Sequence, residues 1–138
     1  MPAAAIDPVQ TVTRFFRALD DREYRTLAAL LAKDGEWHRQ GAILRNEADI
    51  LAAMEKRSPT MRIHHLLSNL FAEPRGDDEA EVTGYMLVVR HDAKVEPTGP
   101  SPLSGIENIR TTRARLRQTS DGWRIVRLAG DPPSFAAA

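Results

Sequence analysis

From Met61 to Glu73 the chain offers apolar residues at both parities of an extended strand. Ile63, Leu67 and Phe71 fall on one face with His65 and Asn69, while Leu66 and Leu70 fall on the other with His64 and Ser68. Side chains alternate across a strand, so both faces of this one ask for cover. Helices are expected on one face. A second copy of the chain is expected on the other, giving a homodimer joined sheet to sheet.

The segments on either side of that strand supply the rest of a fold. Before it, Val12, Phe15, Phe16 and Leu19 recur at helical spacing over Val9 to Leu19. After the acidic pair Asp20-Asp21, Tyr24, Leu27, Leu30 and Leu31 predict a second helix over Arg22 to Ala32, with Asp20 or Asp21 as its cap. Asp34-Gly35 predicts a turn, and Glu36 to Leu44 a strand or hairpin bent at Gly41. A third helix is expected over Asn46 to Arg57, capped by Asn46 and stopped by Ser58-Pro59. After it, Ala80 to His91, Ile106 to Thr119 and Trp123 to Leu128 are strand-like, and Asp92 to Gly105 is a proline-rich loop. Helices first and strands afterwards argue an α+β fold with the helices on one face of a sheet.

Bulk properties narrow the function classes. At 138 residues the chain is expected to be a single domain, 1–138, with frayed ends at 1–8 and 130–138. Its 19 basic residues are balanced by 19 acidic ones, which gives no electrostatic reason to expect nucleic acid or an anionic membrane as partner. It has no cysteine, so disulfides, thiolate catalysis and Cys-based zinc sites are out. With no secretory signal and no long apolar run, the expected location is cytoplasmic. No metal site is expected: His64 and His65 are adjacent on a strand and point to opposite faces, and His38 and His91 complete no ligand spacing. No cofactor motif is present either. Arg113, Arg115 and Arg117 form a basic stripe on one strand face, expected to be solvated and paired with acidic neighbours.

Four stretches carry a family resemblance. They are Arg14-Phe15-Phe16-Arg17-Ala18-Leu19-Asp20 with the Leu27–Leu31 segment, then Asp34-Gly35-Glu36-Trp37, then His65-Leu66-Leu67-Ser68-Asn69, then Asp121-Gly122-Trp123-Arg124-Ile125. Together they resemble the SnoaL-like branch of the nuclear transport factor 2 superfamily. The third resembles the Arg-His-Leu-Val-Ser-Asn strand that this branch shares with scytalone dehydratases and the small subunits of ring-hydroxylating dioxygenases. The resemblance implies a cone-shaped α+β barrel, three N-terminal helices packed on a curved, mostly antiparallel sheet around an apolar pocket.

It also implies site residues. His65 is similar to the histidine that scytalone dehydratase uses as a general acid/base, a role that suits imidazole. Equally, it reads as a core histidine satisfied by a hydrogen bond. Asp20 is similar to the aspartate that orients that histidine, and on its own it also reads as a helix cap. Tyr24, Trp37, Arg39, Asn69, Met86 and His91 are the expected substrate contacts. Leu19 and Arg39 stand where the dehydratase carries its two tyrosines, which argues against scytalone itself as substrate. Arg39 or Tyr24 would then have to polarise a carbonyl. The expected function is a cofactor-free lyase or isomerase, dehydratase- or cyclase-like, acting on a small apolar cyclic oxygenated molecule. The alternatives are a non-catalytic dioxygenase small subunit and a ligand-binding domain without chemistry.

Overall fold

The computed structural model describes residues 7–138. The expected fraying at 1–8 therefore falls largely outside the described residues. Helix α1 runs Pro8–Asp20, started by Asp7, whose carboxylate accepts from the Gln10 amide at 2.8 Å. Pro8 in its first turn has no amide to leave unsatisfied. Val12, Phe15, Phe16 and Leu19 form its buried stripe, as their spacing requires. Helix α2 is shorter than its spacing predicts, Tyr24–Ala29, because Leu31 and Ala32 are taken into a strand. Asp20 does not cap it: Glu23 stands at the cap and makes no side-chain cap bond.

Strand β1 spans Leu31–Arg39 and β2 spans Ala42–Leu44. The expected turn at Asp34-Gly35 is instead an irregularity inside β1, where the pairing shifts between Leu31 and Glu36. Gly35 is required there, since a Cβ would stand 2.5 Å from the Ile125 carbonyl oxygen. The hairpin turn comes at Gln40-Gly41, both with positive φ. Helix α3, Glu47–Met54, is capped by Asn46, whose side chain accepts from the Asp49 amide at 2.8 Å.

Four long strands follow: β3 Met61–Pro74, β4 Glu79–Asp92, β5 Asn108–Thr119 and β6 Gly122–Gly130. The C-terminal tail is not wholly frayed, because β7, Phe135–Ala136, pairs antiparallel with β5. The sheet order is β2-β1-β6-β5-β4-β3, antiparallel except for the β1–β6 pair. Along this path β2 and β3 are the two ends, so the sheet is open and the expected barrel is only approximate.

The parity of β3 also changes part-way. Asn69 has φ +56° and the pairing with β4 shifts between Ser68 and Phe71. Such a bulge swaps the faces beyond it. Leu70 therefore packs on the core and Phe71 turns out beside Leu66, the reverse of strict alternation. Gly84 lies across from Leu70, where a Cβ would sit 2.5 Å from the leucine side chain. The main core joins α1 and α2 to the inner sheet face through Phe15, Leu27, Leu116, Ile125 and Leu128. Phe15 meets Trp37 edge-on, with ring centroids 5.0 Å apart.

Candidate active site

Asp20 is the last residue of α1, and its carboxylate spends both oxygens on one residue of β3. Oδ2 accepts the backbone amide of His65 at 2.8 Å, and Oδ1 lies 2.6 Å from His65 Nδ1. A carboxylate can only accept, so Nδ1 carries the proton. Nε2 of neutral His65 is then a bare lone pair, with no hydrogen-bond partner among the described residues. The side chains are 11% and 9% exposed for His65 and Asp20, so the pair is largely withdrawn from bulk water. Phe16 flanks the imidazole, its ring centroid 5.5 Å away.

The corner between α1 and α2 holds this register. Arg22, with φ +59°, donates from Nη2 to the carbonyls of Ser58 and Met61, both at 2.8 Å. It thereby ties the turn after Asp20 to the start of β3.

His65 borders an open cavity of about 920 Å³ between the sheet and the helices. Buried Phe16, Leu19, Trp37, Ile63 and Leu128 form its apolar wall, with Met86 and Val88. The wall also has a substantial polar part, which the expectation of an apolar pocket missed. Arg39, Lys56, Arg57, Arg90 and Arg110 border it with Asn108, Thr112 and a single carboxylate, Glu107.

A sequence model described as the SnoaL-like domain matches residues 7–129. The chain belongs to the SnoaL-like family. No curated protein sequence matches it. Among solved structures it is similar to a nuclear transport factor 2-like protein with a cystatin-like fold from Novosphingobium aromaticivorans (22% identity, TM-score 0.68, covering 88% of this chain and 77% of that one). It is also similar to a candidate scytalone dehydratase from the same organism (18% identity, TM-score 0.67, covering 94% and 85%). A third is ActVI-ORFA from Streptomyces coelicolor (20% identity, TM-score 0.66, covering 88% and 92%). At these identities the likeness carries the fold and not an activity.

Within this SnoaL-like domain the anticipated contacts divide. Trp37, Arg39 and Met86 border the cavity together with His65. Arg39 lies over the Trp37 ring, its Cζ 5.6 Å from the centroid. Burial lowers the pKa of Arg39, and the charges of Arg57 and Arg90 lower it further against an opposing effect of Tyr24. Tyr24 does not border the cavity; its hydroxyl accepts from Arg57 Nη1 at 3.1 Å and so stands behind a residue that does. Asn69 is outside it, because the bulge turns it to the exposed sheet face, where it accepts from the Ser68 hydroxyl at 2.7 Å. His91 is outside as well: it neighbours Arg90 on β4, and alternation gives the cavity to Arg90. His38 borders the rim but bonds Glu36 at 3.1 Å.

Lys56, Arg57, Arg90, Glu107, Asn108, Arg110 and Thr112 are polar cavity residues that sequence reasoning missed. Strand parity separates Arg110 from Arg113, Arg115 and Arg117, and that was the available signal. The latter three pair with Asp131, Glu79 and Asp34 on the outer face. Among the described residues no three His, Cys, Asp or Glu side chains gather as metal ligands would. No described helix is long and apolar enough to cross a membrane.

Proposed function

We propose that the chain is a cofactor-free general acid/base catalyst, a lyase or isomerase acting on a small cyclic oxygenated molecule. The Asp20–His65 pair supports this reading above everything else, because His65 borders the cavity and its Nε2 has no hydrogen-bond partner among the described residues. His65 Nε2 takes a proton from the carbon next to a ring carbonyl and returns it to another position or to a leaving oxygen. Asp20 fixes the tautomer and stabilises the imidazolium that forms between these steps. Arg39 supplies positive potential for the enolate-like charge, and the neighbouring apolar wall makes that charge interaction worth more than in water. A domain that only bound ligands would not need a carboxylate at the rear nitrogen of a histidine whose front nitrogen is free. The same fact counts against a purely structural small subunit.

The test is proton exchange at the α-carbons of cyclic ketones in D2O, followed by proton NMR with 2-tetralone and related probes. The wild type is expected to accelerate exchange above the buffer rate, and His65→Gln to lose about 10²–10⁴-fold of that acceleration. Equal rates for the two proteins, or no acceleration of any probe, would sink the reading.

The assembly belongs to the same proposal. Leu66, Phe71 and Tyr85 are each about half exposed on the sheet face turned away from the helices (49%, 53% and 51%). We read that face as the seat of a second copy, leaving the cavities of the two protomers on the outside.

A further inference from the structure

The charge of the cavity wall differs from that of the chain. The whole sequence is neutral, yet five cationic side chains border the cavity against one carboxylate. That carboxylate, Glu107, is already bonded to Arg90, with Nε to Oε1 at 2.7 Å. Elsewhere several arginines are matched, Arg75 with Glu73 and Glu81, Arg113 with Asp131, Arg117 with Asp34, while Arg14, Arg22, Arg62, Arg124 and Arg127 have no carboxylate partner among the described residues. Arg39 and Arg57 are half-buried and border the cavity, and neither pairs with a carboxylate among the described residues.

Arg57 is held as a ligand-binding arginine would be. Its Nη1 donates to the Leu19 carbonyl and the Tyr24 hydroxyl, both at 3.1 Å. Its Nε is buried with no hydrogen-bond partner, and Nη2 makes no hydrogen bond among the described residues. Nη2 is thus left unmet among the described residues, and Nε, closed off from solvent, is a buried unmet donor, which is costly. Arg39 is steadied by the Trp37 ring instead, and its one hydrogen bond is a long 3.4 Å contact to the Gln40 side chain. Two guanidinium groups that repel each other are worth keeping in a partly desolvated wall if an anion sits between them. An enolate exists only during turnover, whereas these charges stand unpaired at rest. A permanent anion on the ligand meets that need.

We infer that the natural ligand carries a carboxylate held by Arg39 and Arg57, with its ring lying along Trp37 and Phe16 toward His65. This rests on the acid/base reading for the role of His65, but not for the anion site itself. It gives the substrate class as a cyclic oxygenated acid rather than a neutral ketone.

The experiment is calorimetric titration with matched pairs, 2-naphthoate against 2-naphthamide and benzoate against benzamide, at neutral pH and low salt. A carboxylate is expected to bind at least about tenfold more tightly than its amide, which is about 1.4 kcal/mol. Arg39→Gln and Arg57→Gln are each expected to weaken carboxylate binding far more than amide binding and so to remove most of that preference. Arg39→Gln makes the test independent of any folding defect from losing the Arg57 bonds to Leu19 and Tyr24. Equal affinities within each pair, a preference that survives both substitutions, or no binding of either carboxylate up to about 10 mM would overturn the inference. His65→Gln separates the two ideas, since the preference should persist in it. Proton exchange that depends on His65 without a carboxylate preference removes the anion site alone. A preference without proton exchange removes the catalytic reading alone.

Discussion

At the scale of single residues, one carboxylate decides how a histidine behaves. Asp20→Asn keeps the shape but replaces an acceptor by a group that can donate. An amide donating to His65 Nδ1 forces the proton onto Nε2, and the base is lost. The expected outcome is a loss of at least about 10²-fold in proton exchange with an unchanged circular dichroism spectrum. A second carboxylate makes a prediction about stability. The hydroxyls of Ser58 and Thr60 and the amide of Lys94 hold the Asp92 carboxyl below its ordinary range. A depressed folded-state pKa contributes stability above the unfolded value and loses it as pH falls through the folded one. Asp92→Asn should therefore lower the melting temperature at pH 7, and the gap to wild type should narrow as pH drops below about 4. Melting curves at both pH values check this. The sequence made Asp20 and His65 legible through a motif, whereas Arg57 and Arg90 were hidden. Their place in the cavity depends on helix packing and strand parity, not on any local word.

At the scale of elements, two glycines and one asparagine set the register. The bulge at Asn69 turns Leu70 inward, and Gly84 makes room for it. Gly84→Ala is expected to cost about 1–3 kcal/mol, since Leu70 must shift. Gly35→Ala should cost more, because the obstacle is the backbone carbonyl of Ile125 rather than a mobile side chain. Asn69→Gly should be close to neutral and Asn69→Val destabilising by about 1–2 kcal/mol, since φ is positive there. Urea unfolding curves give all four values. Long elements with a clear period were legible in the sequence, including α1, α3 and the four long strands. The short α2, the irregular β1 and the pairing of β7 were not. Each depends on a partner distant in sequence: β1 joins β6, and β7 joins β5.

At the scale of the molecule, the open sheet turns one face to the cavity and leaves Leu66, Phe71 and Tyr85 exposed on the other. Leu66→Glu with Tyr85→Glu places two charges on the outer face without touching the cavity wall. Light scattering during gel filtration is expected to give a dimer for the wild type and a monomer for the double variant. A monomeric wild type would refute that assembly. The α+β order was legible because helical and strand periods change over near the middle of the chain. That the sheet stays open was not, since closure depends on twist and edge pairing that no local pattern records. Sheet, helix corner and cavity all meet at His65, and the proposal rests on the lone pair of one of its ring nitrogens. Long-range nitrogen–proton NMR correlations of the His65 ring in the wild-type protein test that most directly. Under conditions where the ring is neutral, the account requires the proton on Nδ1 and none on Nε2. A proton on Nε2 would contradict it.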